Sequence, residues 1–488
     1  MTALPPDGLD AEDVLAQLRA LRSADMPTHG GRTLAYVYDS GRRGLDELGM
    51  AAYALASPAN GLDPTAFPSL LRMENDVVAA AAGLLGGTTA TVGSVTSGGT
   101  ESCLLAVLAA REGRRDVAAP AVVLPATAHA AFRKAAHLFG VRAVEVPVDP
   151  VTFRADPAAM AAAIDEHTVL VVASAPSYAH GVVDPVGEIA AAAAARGVRM
   201  HVDACIGGWV LPYLRRLGAA VPPFDFSVPG VTSISVDLHK YAYCPKGVSV
   251  LLHADPALRG GHYFASADWP GYTMLNTTIQ STKSGGPLAA AWAVLRHVGD
   301  DGYLRLARDT RAATAALREG IGRIAGLRVL GDPDATLLAF TGEPAGPATG
   351  EPDFDLFTVA DEMRARGWYV QPQFAHRSSP VNLHLTVTAA NRGGEDAFLT
   401  DLAAAVRAAR AAGPVAVAPE LVAAIGALDP DTLTAEQFEG LLAGAGLAGD
   451  GALPERMAPV NALLAAAPAR LRERVLLEFL GLLYRPGS

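Results

Sequence analysis

Residues 232–253 read Thr-Ser-Ile-Ser-Val-Asp-Leu-His-Lys-Tyr-Ala-Tyr-Cys-Pro-Lys-Gly-Val-Ser-Val-Leu-Leu-His, with a His-Lys pair between two apolar segments. The segment 232–236 predicts a strand that delivers Lys240 into a loop, and 248–252 predicts the strand that follows. Ligands of α/β proteins bind at the carboxyl ends of strands, so a lysine there is placed for chemistry. A buried lysine with a lowered pKa forms Schiff bases. We therefore expect Lys240 to be buried and reactive, with its pKa depressed.

Lysine is otherwise scarce in this chain. Of the 39 lysines and arginines, four are lysines: Lys134, Lys240, Lys246 and Lys283. Lysines kept where arginine does the ordinary surface work are candidates for what arginine cannot do, which is to lose a proton and attack a carbonyl. Codon bias is the alternative, and it is the default for Lys134.

Composition limits the classes of function. The 488 residues suggest two or three domains with a large core, and the formal net charge of -11 without a basic run argues against nucleic acid as a partner. The first 28 residues carry acidic side chains and lack a basic region and an apolar core, so we expect no signal peptide, and no apolar run predicts a membrane span. We expect a cytoplasmic protein. The three cysteines have no metal-ligand spacing, so we expect no metal site and small buried thiols.

The order of predicted elements indicates the fold class. From about residue 120 apolar strands at 121–124, 143–146, 169–173 and 198–202 alternate with helical segments, which predicts a mostly parallel sheet covered by helices on both faces. The sequence predicts an N-terminal segment at residues 1–60 and a large cofactor-binding domain at 61–300. A small α+β domain at 301–412 and a helical C-terminal extension at 413–488 follow. The extension carries no visible chemistry, so packing or a dimer contact is its expected role.

Two further segments are candidates for the site. Small and hydroxyl residues at 97–102 precede a predicted helix at 103–111, where free backbone N–H groups favour an anion such as phosphate, although the same pattern makes an ordinary helix cap. Asp203 ends the predicted strand 198–202, where a buried carboxylate needs a partner unless it only caps the next turn. With His129 and Lys240 these features match what pyridoxal 5'-phosphate requires: donors for its phosphate, a flat partner for its ring, a carboxylate for its pyridine nitrogen and an amine for its aldehyde.

Five motifs resemble one family. Residues 235–247 are similar to the Schiff-base motif of the fold-type-I group II pyridoxal-phosphate decarboxylases, and most closely to that of the sphingosine-1-phosphate lyases. The other motifs occur in the family's order at 96–102, 129–135, 174–181 and 201–208. The resemblance covers about residues 30 to 410 and implies a large domain with a seven-stranded, mostly parallel sheet, a smaller α+β domain, and a homodimer with shared active sites.

The resemblance also assigns residues. Lys240 would form the Schiff base, Asp203 would pair with the pyridine nitrogen, and His129 would stack on the ring. The other cofactor contacts that it implies are Gly99, Thr100, Ser174, His201, Cys205, Ser235 and His239. Lys246 would lie near the polar end of the substrate, with further substrate contacts at Tyr36, Asn60, Asp63 and Lys283. Tyr241 is a catalytic candidate, and Tyr36, Tyr38, Tyr241 and Tyr243 are candidate acids or bases that could equally pack.

The substrate motifs depart from the family pattern. Asn60-Gly-Leu-Asp63 stands where the lyases have Asn-Pro-Leu-His, and a carboxylate there would repel a phosphate dianion unless it is turned away. Thr282-Lys-Ser-Gly-Gly286 replaces Ser-Arg-Pro-Gly-Gly and keeps a cation at Lys283. Retro-aldol cleavage of a β-hydroxy amine and decarboxylation of an amino acid both stay open, with transamination a further alternative. A small-molecule amino substrate is expected in each case.

Two hypotheses come from other classes. The fold could persist as a binding or regulatory protein without catalysis, but a scaffold would need neither Lys240 nor Asp203. A nicotinamide-dependent oxidoreductase is disfavoured because the glycine fingerprint of dinucleotide-binding folds is missing.

Overall fold

The computed structural model describes residue 4 and residues 7–344, 352–415, 417–444 and 454–484. The helices are α1 Ala11–Leu21, α2 Leu45–Ala56, α3 Pro68–Leu84, α4 Gly99–Glu112, α5 Ala131–Phe139, α6 Pro157–Ala162, α7 Val186–Ala195, α8 Gly207–Arg216, α9 Pro256–Arg259, α10 Gly285–Gly322, α11 Leu356–Ala365, α12 Glu395–Ala412, α13 Pro419–Gly426, α14 Ala435–Gly444, α15 Ala458–Ala466 and α16 Ala469–Leu483. The strands are β1 Val92–Thr96, β2 Ala121–Pro125, β3 Arg142–Val146, β4 Thr168–Ser174, β5 Arg199–Asp203, β6 Ser233–Asp237, β7 Ser249–His253, β8 Phe264–Ser266, β9 Met274–Asn276, β10 Leu327–Val329, β11 Leu337–Gly342, β12 Gln371–Gln373 and β13 Asn382–Thr386.

A seven-stranded sheet with the order β1-β7-β6-β5-β4-β2-β3 organises the large unit. Strands β6, β5, β4, β2 and β3 are parallel, whereas β7 runs antiparallel to both of its neighbours. The connection from β6 to β7 is too short for the crossover that two parallel strands require, so the chain returns as an antiparallel pair. The predicted mostly parallel sheet is confirmed, and that short return is the loop that carries Lys240.

Three neighbouring parallel strands each end in a buried polar residue. Every residue of β4, β6 and β7 is buried, as expected for strands covered on both faces. The polar ends are Ser174 in β4, Asp203 in β5 and Asp237 in β6. Because parallel strands end at the same edge, this pattern gathers polar groups at one place.

The small unit is a four-stranded antiparallel sheet with the order β10-β11-β13-β12, packed against α11 and α12. Helix α10 links it to the large unit and breaks at Gly299, which has φ 62° and ψ 173°. The side chains of α10 up to Ala307 belong to the large core, and those from Ala313 onward belong to the small core. The limits given above for the N-terminal segment and the domains remain predictions.

Several predicted elements differ from those observed. Helix α4 begins at Gly99 and not at Cys103, because the small residues form its first turn instead of preceding it. Helix α8 was not predicted, since it opens with two glycines and contains Pro212. The extension, which the sequence predicts to be helical, holds helices α13 to α16 around a small apolar core of its own. Among the described residues, no helix has both the length and the apolar character needed to cross a membrane.

Candidate active site

A cavity of about 360 Å³ opens at the carboxyl ends of β5 and β6, next to the first turn of α4. Its lining residues are Ser97, Gly98, Gly99, Thr100, Glu101, Cys103, His129, Pro176, Tyr178, Asp203, Cys205, Ile206, Asp237, His239 and Lys240. The fold thus brings together Lys240, Asp203, His129, His239, Cys205 and the Gly99-Thr100 pair, as the sequence predicted. It does so because three strand ends and one helix N-terminus meet there.

Lys240 forms a close ion pair that the sequence analysis missed. Its Nζ lies 2.9 Å from Oδ2 of Asp237, and the two side chains are 20% and 2% exposed. Burial alone would lower the pKa of Lys240, but the charge of Asp237, its hydrogen bond to the amine and the nearby Tyr38 and Cys205 together hold that pKa well above its ordinary value. Conversely, burial alone would raise the pKa of Asp237, and the charges of Lys240 and His239 together with hydrogen bonds to the carboxylate keep it low. The expected depressed pKa of Lys240 is therefore wrong in the described chain, because a carboxylate three residues earlier compensates the amine.

Asp203 is buried at the end of β5 and is fixed by short-range contacts. Its Oδ1 accepts a hydrogen bond from the backbone N–H of Cys205 at 3.1 Å, with the hydroxyl of Ser235 at 3.5 Å. One ligand atom each of Cys103, Asp203 and Cys205 lies within 4.8 Å of the others. The hydrogen bond with Cys103 and burial both raise the pKa of Cys205 well above the ordinary thiol value. These two thiols are small buried groups in the cavity wall.

A layer of polar residues lies directly behind the cavity wall. His201 meets Ser233 through Nδ1 at 2.9 Å and Ser235 through Nε2 at 3.2 Å. Burial lowers the pKa of His201 to about 4, with Asp203 opposing the shift, so the ring is neutral near pH 7. The lining residues do not include Ser174, His201 or Ser235. Their contact with a cofactor stays a prediction, and in this geometry they would act on it through the residues that line the cavity.

The first turn of α4 forms a cradle that only glycine allows. A Cβ on Gly99 would lie 2.6 Å from Oδ2 of Asp237 and 2.8 Å from Sγ of Cys205. His239 faces the same place, with its Nε2 3.5 Å from Oδ2 of Asp237. The cradle combines free N–H groups at a helix N-terminus with an imidazole, an arrangement suited to an anion.

His129 lines the cavity from the loop before α5. Its Nδ1 accepts a hydrogen bond from the N–H of Ala131 at 3.2 Å, which leaves the proton on Nε2 of the neutral ring. Its ring meets the ring of Tyr178 edge-on at 6.5 Å. The imidazole is exposed toward the cavity, so one face is available for a flat ligand.

The predicted tyrosines have different surroundings. The hydroxyl of Tyr241 donates to the carbonyl of Val387 at 2.8 Å, and that of Tyr243 lies 3.3 Å from the hydroxyl of Thr310. Neither side chain lines the cavity, so catalysis by Tyr241 would require its present hydrogen bond to break. Burial raises the pKa of Tyr38 to about 12, against the charge of nearby Lys240. Tyr178 is the cavity-lining tyrosine, and the sequence analysis did not single it out.

The predicted substrate residues fall into two groups. Lys246 donates from Nζ to the backbone carbonyl of Tyr36 at 2.9 Å and lies 5.1 Å from the ring centre of Tyr38. Desolvation, and then the charge of Lys240, lower the pKa of Lys246 to about 8. Within the described chain no carboxylate lies within 4.0 Å of its Nζ.

The second group surrounds a separate cavity of about 530 Å³. Nζ of Lys283 is neutralised by Glu74 at 2.9 Å, and Oδ1 of Asn60 accepts the backbone N–H of Lys283 at 3.2 Å. Asp63 points into its own turn, where Oδ1 accepts from the N–H and the hydroxyl of Thr65 at 2.8 and 2.6 Å. These hydrogen bonds lower the pKa of Asp63. In the single chain none of these residues lines the cavity of Lys240.

The cavity residues fit pyridoxal phosphate. Asp237 and His239 line the cavity, and Oδ1 of Asp237 and Nδ1 of His239 are buried without a hydrogen-bond partner among the described residues, which is costly for polar atoms unless a ligand or water satisfies them. An amine, a buried carboxylate, a flat imidazole and a glycine-lined helix N-terminus surround one space. This donor set matches the aldehyde, pyridine nitrogen, ring and phosphate of that cofactor.

Comparison with known proteins identifies what the chain is similar to. A model described as the pyridoxal-dependent decarboxylase conserved domain matches residues 36–342, and a pyridoxal-dependent enzyme C-terminal putative HTH domain matches 419–482. Sphingosine-1-phosphate lyase of Dictyostelium discoideum is 38% identical over 400 residues, which span 82% of this chain and 73% of that protein.

Solved structures show the same likeness. The sphingosine-1-phosphate lyase of Burkholderia pseudomallei superposes with a TM-score of 0.78 at 38% identity, covering 84% of this chain and 93% of that one. Glutamate decarboxylase of Lactobacillus brevis superposes with a TM-score of 0.74 at 19% identity, over 86% and 96% of the two chains. The second likeness shows a shared fold alone.

Proposed function

The chain belongs to the pyridoxal-dependent decarboxylase family and is a pyridoxal-phosphate-dependent lyase, and from that premise we propose that it cleaves the Cα–Cβ bond of a phosphorylated β-hydroxy amine to release an aldehyde. Relatives named for cleavage of sphingosine 1-phosphate support the reaction. One observation carries the substrate class: Lys246, close enough to Lys240 for its pKa to be lowered by that charge, has no carboxylate partner in the described chain.

The cofactor, when bound, supplies the electron sink that allows a bond to the amine-bearing carbon to break. Lys240 would hold its aldehyde, Asp203 its pyridine nitrogen, and the α4 cradle with His239 its phosphate. His129 would cover one face of the ring. Each assignment is a proposal supported by the residues that line the cavity.

The position of Lys246 supports a phosphorylated head group. A cation whose hydrogen bond goes to a neutral carbonyl can turn to an anionic ligand without leaving a carboxylate unpaired. Lys283 lacks this freedom because Glu74 already neutralises it. Asp63 engages its own turn, so the carboxylate that departs from the family pattern need not face the phosphate.

We also propose a homodimer with shared active sites. Large apolar side chains are exposed on two segments near the second cavity: Met50 and Leu55 on one, and Phe264, Leu275 and Ile279 on the other. The predicted substrate residues Asn60, Asp63 and Lys283 lie around that cavity and apart from Lys240, as expected if they serve the neighbouring subunit. The measurement is the mass in solution by light scattering, with a monomer as the contradicting result.

A cytoplasmic location is a further proposal. It is supported by the three cysteines, all of them buried and free, which suit a reducing compartment. For the extension we propose a packing role. Residues 419–482 contain nine acidic and four basic residues, a balance unsuited to contacts with a nucleic-acid backbone.

The decisive experiment follows aldehyde and carbon dioxide together. Cofactor-loaded protein would be incubated with β-hydroxy amines, phosphorylated and not, and with amino acids. We expect aldehyde without carbon dioxide, and faster release from the phosphorylated amines. Carbon dioxide without aldehyde would contradict the proposal and make the protein an amino-acid decarboxylase.

A further inference from the structure

The side-chain amide of Gln371 joins Tyr178, which lines the active-site cavity, to Tyr36, which does not. The hydroxyl of Tyr178 donates to Oε1 of Gln371 at 2.5 Å, and Nε2 of Gln371 donates to the hydroxyl oxygen of Tyr36 at 2.7 Å. The amide oxygen of Gln371 thus faces Tyr178, and its amide nitrogen faces Tyr36.

The surroundings of Gln371 connect it to the site. Tyr178 lines the cavity together with His129 and Lys240. Gln371 lies on β12 opposite His384 of β13, whose ring stacks on Tyr178 with centroids 4.4 Å apart. Strand β12 thus holds Tyr178 through one hydrogen bond directly and through one ring stack by way of β13.

Tyr36 is the outer member of the network. Its side chain is 60% exposed, and its backbone carbonyl accepts the hydrogen bond from Nζ of Lys246 at 2.9 Å. The amide of Gln371 therefore links the cavity wall to the residue that carries the proposed head-group cation.

The two tyrosines differ in what they can offer a substrate. A phenol has one proton and two lone pairs. Tyr178 uses its proton on Gln371, so toward the cavity it can only accept a hydrogen bond. The hydroxyl oxygen of Tyr36 accepts a hydrogen bond from Gln371. The proton of that hydroxyl is not used on Gln371, so Tyr36 can still donate a hydrogen bond.

We propose that Gln371 is a positioning residue that sets this polarity. It makes Tyr178 the acceptor for a donor group of the substrate, such as the ammonium or the β-hydroxyl. It makes Tyr36 the donor for a substrate oxygen that carries negative charge. The inference rests on the proposed function for the identity of those substrate groups, but not for the polarity itself.

Substitution Gln371→Glu tests the polarity. An ionised carboxylate accepts a hydrogen bond from each of the two tyrosine hydroxyls. Tyr178 then keeps its present hydrogen bond, whereas Tyr36 donates to the carboxylate and can no longer donate to a substrate. A protonated Glu donates once and accepts once, which restores the arrangement made by the amide. We expect kcat of Gln371→Glu to fall at least about tenfold at pH 7, with KM within about threefold, as for loss of one hydrogen bond to a charged group. A carboxyl with the ordinary glutamate pKa of about 4.3 is almost fully ionised at pH 7 and about one-sixth protonated at pH 5, so the activity relative to wild type should begin to recover as the pH is lowered from 7 to 5.

Activity is expressed relative to wild type, so titrations that the two proteins share cancel, and these shared groups include His129, whose ring meets that of Tyr178. The titratable groups that face it are Tyr36, Tyr178, Tyr369, His384 and Lys246. Burial lowers the pKa of His384 to about 3, and that of Lys246 is about 8, so neither changes charge between pH 5 and 7. Burial raises the pKa of Tyr178.

Two further variants separate polarity from packing. Gln371→Leu removes both hydrogen bonds, so it should lose activity without any recovery at low pH. Gln373→Leu lies on the same strand and makes no side-chain hydrogen bond within the described residues, so it should match wild type. Equal losses in Gln371→Glu and Gln371→Leu, with flat activity ratios from pH 5 to 7, would overturn the proposal. So would wild-type activity in Gln371→Leu.

A binding measurement keeps this test independent of the proposed reaction. The dissociation constant of a phosphorylated alkyl amine without a β-hydroxyl can be followed by cofactor absorbance in each variant. If wild type cleaves no amino alcohol while amine binding to Gln371→Glu still tightens at low pH relative to wild type, the polarity stands and the proposed function fails. If neither cleavage nor binding shows that recovery, Gln371 has no role beyond packing.

Discussion

Nζ of Lys240 lies 2.9 Å from Oδ2 of Asp237, at the end of the strand that delivers both residues to the cavity. The pair keeps the amine protonated, whereas attack on an aldehyde needs the neutral amine. Asp237 therefore opposes the first step of cofactor capture, and it also prevents an unpaired charge from being buried in the free protein. The same carboxylate contacts the glycine cradle, so the charge of the lysine and the shape of the anion site are set by one residue.

Substitution Asp237→Asn should change the pH dependence of cofactor uptake. Without the carboxylate the pKa of Lys240 falls, by about one unit or more for the loss of a nearby opposite charge. The neutral amine is then available at lower pH. We expect the pH midpoint of the uptake rate, followed by absorbance after pyridoxal phosphate is added to the apoprotein, to move down by that amount.

Asp225→Asn is a matched control for this variant. Asp225 is a buried aspartate in a 3.0 Å ion pair with Arg215, and it does not line the cavity. Each substitution takes a buried carboxylate away from its cationic partner, so both variants should unfold more easily. A shift of the uptake midpoint in Asp225→Asn, or its absence in Asp237→Asn, would contradict the role of Asp237.

Substitution Gly99→Ala should weaken cofactor binding. The added methyl group would lie 2.6 Å from Oδ2 of Asp237 and 2.8 Å from Sγ of Cys205, so the cradle must open. We expect the dissociation constant for pyridoxal phosphate to rise at least about tenfold, which is 1.4 kcal/mol. Gly83→Ala, on an exposed face of α3 with no atom within 4 Å, should leave it unchanged. Equal affinities in the two variants would show that the cradle does not hold the cofactor.

Much of the fold could be predicted from the sequence, because buried strands such as β2 and β4 read as apolar runs that alternate with helical segments. Lys240 and Asp203 were recognisable because a charged residue at the end of such a strand is uncommon. The start of α4 was misplaced because small residues suit a helix cap and a first helical turn equally well. Asp237 was missed although it lies within the quoted motif, since the sequence does not show that its carboxylate turns toward Lys240.

Contacts between distant segments could not be predicted. Tyr178 and Gln371 are 193 positions apart, and the small domain brings them together. The different states of Lys246 and Lys283 depend on a single carboxylate, Glu74, which lies 209 positions from Lys283. Local patterns indicate strands, helices and turns, but they do not reveal which charge neutralises which.

Lys246 and Lys283 should differ in their effect on the substrate head group. Lys246→Met removes the cation that lacks a carboxylate partner in the described chain, so KM for a phosphorylated β-hydroxy amine should rise at least about tenfold. KM for the unphosphorylated amine should change little. Lys283→Met in the Glu74→Gln background removes a neutralised pair and should leave the ratio of the two KM values unchanged. The reverse order of effects would assign the head group to Lys283.

A buried histidine pair should make the protein less stable in mild acid. Burial lowers the pKa of His262 to about 4, and that of stacked His253 is lowered too. Unfolded histidine binds a proton below about pH 6.5, so the unfolded state takes up more protons between pH 6.5 and 4. The stability that the two neutral rings contribute is fully present above pH 6.5. It is lost as the pH falls from 6.5 to 4, by up to about 1.4 kcal/mol per pH unit for each ring. Burial raises the pKa of Asp184 to about 6, which opposes this slope.

His262→Phe should reduce that slope. Both ring nitrogens of His262 lack a hydrogen-bond partner in the described chain, so a phenyl ring of similar shape removes the titration without breaking a bond. Urea unfolding at pH 7, 6 and 5 would measure the slope for wild type and variant. Parallel curves for the two proteins would show that His262 does not contribute to the acid sensitivity.

Asp361 should hold the C-terminal extension against the small domain. Its Oδ1 accepts the N–H of Met457 at 2.9 Å and its Oδ2 the N–H of Ala458 at 2.8 Å, so one carboxylate of α11 satisfies the start of α15. Asp361→Ala leaves both donors unpaired and should destabilise the docking of the extension by about 2 kcal/mol, as for lost helix caps.

Because the guanidinium of Arg472 lies 4.7 Å from the ring centre of Phe374, release of the extension should also expose the loop 374–380. Limited proteolysis should then cut near residue 375 faster in Asp361→Ala than in Asp353→Ala, whose ion pair with Arg410 is at the surface. Equal cutting rates would show that this carboxylate does not secure the extension.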